Sequence, residues 1–219
     1  MLENPLSIVE LSLNPDPRVA CVLLLDTSGS MSGQGKIGAL NSGLRQFKAA
    51  IAEDEVAKRR VEICIVEFND SARLISDFVT PDNFTPPTLT AGGTTAMGEA
   101  VLMGLDIIRQ RKEVYKHNGL SYYRPWIFLL TDGAPTDEIT YAAQAAQQSE
   151  ATKEVIFFAV GVGADANRQV LKQLAPNRAF MIDHLKFEEL FRWLSNSVNL
   201  EANSRGGQLR VEQHPGLWI

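Results

Sequence analysis

Histidine and cysteine are scarce in this chain: three of the former and two of the latter among 219 residues. His117, His184 and His214 are scattered, and Cys21 and Cys64 sit apart inside apolar runs. A zinc site or a disulfide framework would need more cysteines at shorter spacing, and a buried free cysteine behaves as a small hydrophobe. Basic runs are missing as well. Lys plus Arg is 21 against 26 Asp plus Glu, a formal charge of −5, which argues against partners such as nucleic acid or an anionic membrane. Long apolar runs are also absent: the longest, Val19 to Leu25, falls far short of the about 20 residues that cross a bilayer. The opening Met1-Leu2-Glu3-Asn4-Pro5 has neither the basic start nor the apolar centre of a signal peptide. A cytoplasmic location is the resulting expectation.

What is present reads as alternating strands and helices. Arg18 to Leu25, Val61 to Phe68, Pro125 to Leu130, Val155 to Val160 and Ala179 to Ile182 are short apolar runs rich in branched and aromatic residues, the signature of strands buried on both faces. Between them, Ile37, Leu40, Leu44, Phe47 and Ile51 recur at helical spacing. So do Met97, Val101, Gly104, Leu105 and Ile108, and later Phe187, Leu190, Phe191, Leu194 and Val198. Asn69-Asp70 supplies a turn after which Ala72 to Phe78, of mixed polarity, returns as an antiparallel edge strand. The pattern predicts a doubly wound α/β fold of the Rossmann-like kind. Its central sheet has about six strands, mostly parallel with one antiparallel edge, and carries helices on both faces. No linker divides it, so residues 1–219 read as a single domain, with a core of about 18–203, an N-terminal arm 1–17 and a C-terminal tail 204–219 expected to fold back onto the body.

In an open parallel sheet, ligands sit beyond the carboxyl ends of the strands. Asp26 follows the first strand within Asp26-Thr27-Ser28-Gly29-Ser30, and Asp132 follows the fourth within Thr131-Asp132-Gly133. The Gly93-Thr94 loop enters a helix and can reach the same edge. Two carboxylates and several hydroxyls, with no nitrogen or sulfur, suit a hard divalent cation such as Mg²⁺, which keeps several waters and takes few protein carboxylates. Neutral serine hydroxyls leave such an ion short of negative charge, and therefore receptive to a carboxylate from another protein.

Asp26-Thr27-Ser28-Gly29-Ser30, the threonine after Gly92-Gly93, and Thr131-Asp132-Gly133 resemble the three parts of the metal-ion-dependent adhesion site (MIDAS) of von Willebrand factor type A (VWA) domains. The resemblance runs from about Arg18 to about Asn203. It implies that Asp26, Ser28, Ser30, Thr94 and Asp132 ligate Mg²⁺, some through water, with Mn²⁺ or Ca²⁺ as substitutes. Thr94 is preferred because it directly follows the glycine pair, and Thr95 stands in reserve. Leu25 to Met31, Leu89 to Thr94, and Arg124-Pro125 with Leu129 to Asp137 are similar to the bacterial tellurium-resistance-associated TerY-like proteins. That likeness implies a cytoplasmic, metal-dependent protein-binding module rather than an enzyme. Its partner is another protein offering Glu or Asp, in a kinase and phosphatase setting concerned with tellurite or stress resistance. Residues 31–35, 91–95 and 134–137 would form the rim that selects it.

Plainer readings compete residue by residue. Ser28 or Ser32 suits a helix cap, Asp137 the start of the following helix, and Asp165 a turn. Glu67 fits equally a supporting position beside the ion or a solvent-facing edge. Ser30 to Ile37 imitates a phosphate-binding loop, but lacks its first glycine and the hydroxyl residue after Lys36. Gly161 to Ala166 imitates a dinucleotide fingerprint, with too little chain after it to build the second half. The alternative function is a Mg²⁺-dependent, phosphatase-like hydrolase attacking through Asp26. It resembles the haloacid-dehalogenase type, which needs an acid where Ser28 stands.

Overall fold

The computed structural model describes residues 14–183, 186–203 and 217–218. The chain runs through β1 (Val19–Asp26), a 3₁₀ segment (Gly29–Gly35), α1 (Lys36–Ala52), α2 (Ala57–Arg60), β2 (Val61–Phe68), β3 (Ala72–Val79) and α3 (Met97–His117). It continues with β4 (Trp126–Thr131), α4 (Thr140–Ala151), β5 (Ile156–Val162), α5 (Arg168–Leu174), β6 (Ala179–Ile182), α6 (Phe187–Asn203) and β7 (Leu217–Trp218). The strands form one sheet in the order β3-β2-β1-β4-β5-β6-β7. β2, β1, β4, β5 and β6 are parallel and buried at every position, as their unbroken apolar runs require when helices cover both faces.

Side chains alternate across the sheet and divide the core in two. On one face Cys21, Leu23, Leu25, Phe128 and Phe158 pack against Leu40, Leu44, Phe47 and Ile51 of α1 and Phe187, Phe191 and Leu194 of α6. On the other, Val22, Leu24, Ile127 and Leu129 meet Met97, Val101 and Leu105 of α3, Ala142 and Ala146 of α4, and Leu171 of α5. Cys21 and Cys64 belong to opposite faces, so adjacency of β1 and β2 does not bring their thiols together. Burial pushes the Cys21 thiol up to about 12.

β3 pairs antiparallel with β2 and forms the expected edge. Its Arg73 stands opposite Glu67 and makes an ion pair with it, which puts Glu67 in edge chemistry. At the other border, Leu217–Trp218 adds a seventh, antiparallel strand to β6. The tail thus folds back at these two residues, while 204–216 and Ile219 lie outside the described residues, as do 1–13 of the arm. In the rest of the arm, Asp16 pairs with Arg59 and Arg60.

The chain leaves β1 toward β2 on one side and reaches β4 on the other, so the winding reverses between β1 and β4. Their carboxyl ends flank the crevice that such a reversal opens. β1 ends on Asp26, and Asp132 follows the last residue of β4.

Candidate metal centre

Asp26 and Asp132 are both fully buried. Asp26 Oδ1 accepts the Ser28 N–H at 2.8 Å, and its Oδ2 accepts the Thr131 hydroxyl at 2.6 Å. Ser28 Oγ lies 3.0 Å from Ser30 Oγ, which donates to Asp132 Oδ1 at 2.5 Å. The other Asp132 oxygen takes the ammonium of Lys36 at 2.7 Å. Four of the expected ligands, Asp26, Ser28, Ser30 and Asp132, therefore converge in one hydrogen-bonded network drawn from two loops.

Ser28 precedes the 3₁₀ segment without capping it by its side chain. Ser32 turns its hydroxyl to Gly29 O, and α1 starts after Gly35 with no side-chain cap. The capping reading of these serines does not hold, which leaves the Ser28 and Ser30 hydroxyls directed at each other and at Asp132.

Thr94 stands apart from that network. Its loop is bound to the Asp26–Ser30 loop by backbone hydrogen bonds, Gly92 N–H to Thr27 O at 2.8 Å and Gly29 N–H to Gly93 O at 3.0 Å. Yet its own N–H and hydroxyl both go to Asp70 Oδ1, at 2.8 and 3.0 Å. Glycine is favoured at position 93: its φ is +79°, and a Cβ would lie 2.8 Å from the Asp70 carboxylate. Thr95 is buried and donates its N–H to the Thr136 hydroxyl at 3.0 Å. Asp137 does not start α4; it accepts the Gly98 and Glu99 N–H groups at 3.0 and 2.9 Å and so caps α3. The two decoys resolve as local structure: the phosphate-loop imitation is the 3₁₀ segment Gly29–Gly35, kinked at Gly33 and Gln34, running into α1 at Lys36, and Gly161 to Ala166 is a strand-to-helix turn in which Gly163 has φ +77°.

Burial pushes the Asp26 carboxyl above its ordinary value; hydrogen bonds from Ser28 and Thr131 oppose this and the charge of Asp132 adds to it. Among the described residues, Asp26 has hydrogen-bond donors but no cationic partner, and Asp132 has only Lys36. Two buried carboxylates with one ammonium, which touches Asp132 alone, are short of positive charge. No group of three His, Cys, Asp or Glu that could hold a metal is formed among the described residues, so a cation held here would rely on hydroxyls beside the two aspartates. That donor set fits a hard divalent ion.

The von Willebrand factor type A domain model matches residues 21–193. The chain belongs to the von Willebrand factor type A domain family. VWA domains in general carry a divalent-metal MIDAS and serve adhesion and interaction rather than catalysis. Among solved structures, the VWA fold here is similar to the pilus adhesin SpaC of Lactobacillus rhamnosus GG, with a TM-score of 0.68 at 15% identity over 85% of this chain and 31% of that one. It is also similar to the vWF domain of the type V pili tip protein Mfa5 of Porphyromonas gingivalis, with a TM-score of 0.66 at 13% identity over 88% and 98%. Proximal thread matrix protein 1 of the mussel byssus, solved with a zinc-occupied MIDAS motif, gives a TM-score of 0.56 at 15% identity over 84% and 48%. This chain thus spans about half or less of SpaC and the byssus protein. No curated protein sequence matches it significantly. No helix among the described residues is long and apolar enough to cross a membrane.

Lys36, Asp70 and Thr131 are the site residues that the sequence did not single out for these roles. Asp70 reads only as a turn residue and Lys36 only as part of the phosphate-loop imitation. Their partners, Thr94 and Asp132, are 24 and 96 residues away.

Proposed function

We propose that the chain is a divalent-metal-dependent protein-binding module, a single VWA domain with its core at about 18–203. Asp26, Ser28, Ser30, Thr94 and Asp132 hold the ion, Mg²⁺ in the first place. The observation that carries this reading is the pair of fully buried aspartates at the β1/β4 crevice, linked through the Ser28 N–H and the Ser28 and Ser30 hydroxyls and answered by one lysine. When bound, the ion supplies an electron-poor coordination position for a Glu or Asp of another protein. Ser28 and Ser30 offer neutral oxygens and so keep that position unsatisfied. Asp26 and Asp132 provide the protein's own negative charge, and Thr94 completes the set from the loop that Asp70 holds. The rim at 31–35, 91–95 and 134–137 selects the partner.

The zinc in the byssus protein's MIDAS supports a divalent ion and makes Zn²⁺ a metal to compare with Mg²⁺, Mn²⁺ and Ca²⁺. A cytoplasmic role in tellurite or stress resistance, beside a kinase and a phosphatase, rests on the TerY-like runs at Leu25 to Met31, Leu89 to Thr94 and Leu129 to Asp137. Two unpaired, buried cysteines are compatible with a reducing compartment.

The test is metal-dependent stability. Saturating Mg²⁺ raises the melting temperature of the wild type by mass action, by about 3 kcal/mol of stability at 100-fold excess over Kd. Asp26→Ala abolishes the increment while the metal-free protein still melts cooperatively. An unchanged Mg²⁺ response in this variant rejects Asp26 as a ligand. Turnover of an aryl phosphate with Mg²⁺ would instead favour the hydrolase reading.

A further inference from the structure

Lys36 is the first residue of α1 and is buried. Both facts disfavour an ammonium. Burial removes its hydration, and a cation at a helix N-terminus faces the positive end of the helix dipole. Gly35 before it offers no side chain, and the first turn of α1 contains no acid. The compensation comes from Asp132 Oδ2 at 2.7 Å, across 96 residues of sequence. A charge held against these costs beside the candidate metal centre changes what that centre can bind.

The consequence follows from charge. Asp26 and Asp132 against Lys36 leave one surplus negative charge before any ion is bound. With a divalent ion the same groups carry one surplus positive charge, whereas a neutral side chain at position 36 would leave the loaded site balanced. Buried charges interact strongly and are screened little by salt. We propose that Lys36 weakens binding of the divalent ion alone and strengthens the loaded site's hold on an incoming carboxylate, so that ion and acidic ligand bind as a coupled pair. This inference rests on the metal-binding reading above. It makes Lys36 a positioning and charge-setting residue for ligand capture, distinct from the five proposed ligands. By linkage, a carboxylate that prefers the loaded site must tighten the ion by the same factor.

The experiment uses the full chain, Mn²⁺ as the ion and acetate as the carboxylate probe, with Kd read by titration calorimetry. Lys36→Met tightens Mn²⁺ by about tenfold. Saturating acetate tightens Mn²⁺ in the wild type and has little effect in Lys36→Met, while Lys36→Arg, which keeps the charge, behaves as the wild type. Circular dichroism melts establish that each variant is folded, and Lys36→Gln, which keeps a donor for Asp132, replaces Lys36→Met if the latter does not fold. Wild-type binding with an equal or weaker Mn²⁺ affinity in the folded neutral variants overturns the inference and leaves the metal-binding reading standing. Tightening in Lys36→Arg as large as in Lys36→Met assigns the effect to side-chain bulk and also overturns it. Absence of Mn²⁺ binding in wild type and variants alike removes both readings.

Discussion

Asp70 shows how one side chain can set the shape of a loop on another element. It lies in the turn between β2 and β3 and accepts both the N–H and the hydroxyl of Thr94, while Gly93 provides the left-handed backbone that lets the loop pass over its carboxylate. The same two hydrogen bonds hold the Asp70 carboxyl below its ordinary range. Asp70→Asn therefore frees this loop: hydrogen exchange at the Thr94 amide is faster, and the stabilisation by Mg²⁺ is smaller, because ordering Thr94 is then left to the ion. Unchanged exchange at Thr94 in the variant would show that the two backbone bonds to Thr27 and Gly29 suffice. Asp26 and Lys36 act similarly at short range, each through contacts whose chemistry is visible in the residue type and whose partner is not.

Between helices, α1 packs tightly against α6 at Gly43. A Cβ at this position would run into the ring of Phe191, which itself meets Phe47 with ring centroids 5.6 Å apart. The backbone of α1 can sit this near α6 only because position 43 has no side chain. Overpacking in Gly43→Ala costs about 1–3 kcal/mol against a helix-propensity gain of roughly 1 kcal/mol, so stability is expected to fall by up to about 2 kcal/mol. Urea unfolding measures this, and a variant as stable as the wild type would mean that α6 shifts at no cost. Because Lys36 begins the same helix, a displaced α1 also alters the Lys36–Asp132 contact. Helix existence and buried stripe are readable in Leu40, Leu44, Phe47 and Ile51; the role of Gly43 is not, since it depends on which helix crosses there.

Among the described residues, buried charges gather at opposite ends of the strands, around Glu62 and around Asp26 with Asp132. Glu62, fully buried at the start of β2, contacts Arg18 at 3.3 Å and Arg111 at 2.7 Å, and accepts the Tyr115 hydroxyl. Burial, with the Glu62 charge adding to it, holds the Tyr115 phenol well above its ordinary value. Glu62 is in register with Ala20, whereas the candidate metal centre begins at Asp26, roughly 20 Å further along the strand at 3.3 Å per residue. Glu62→Gln leaves two buried guanidinium groups without their counter-charge and is expected to cost about 3–5 kcal/mol. The two centres are far enough apart that the rise in melting temperature with Mg²⁺ expected of the proposed metal site persists in a folded Glu62→Gln protein. Loss of that rise would reveal coupling through β1 and β2.

Local patterning alone determined the alternation of strands and helices, the buried faces, the parallel core of the sheet and the two aspartates at its carboxyl edge. These features follow from the period of apolar residues and from chain direction, which neighbours along the chain already specify. Contacts between distant segments decided the rest: Asp137 capping α3, Thr94 held by Asp70, Leu217–Trp218 closing the sheet edge, and Lys36 seated on Asp132. A hydrogen bond or ion pair needs two groups within about 3 Å, and no periodicity within one segment specifies which remote loop the fold will bring to that distance.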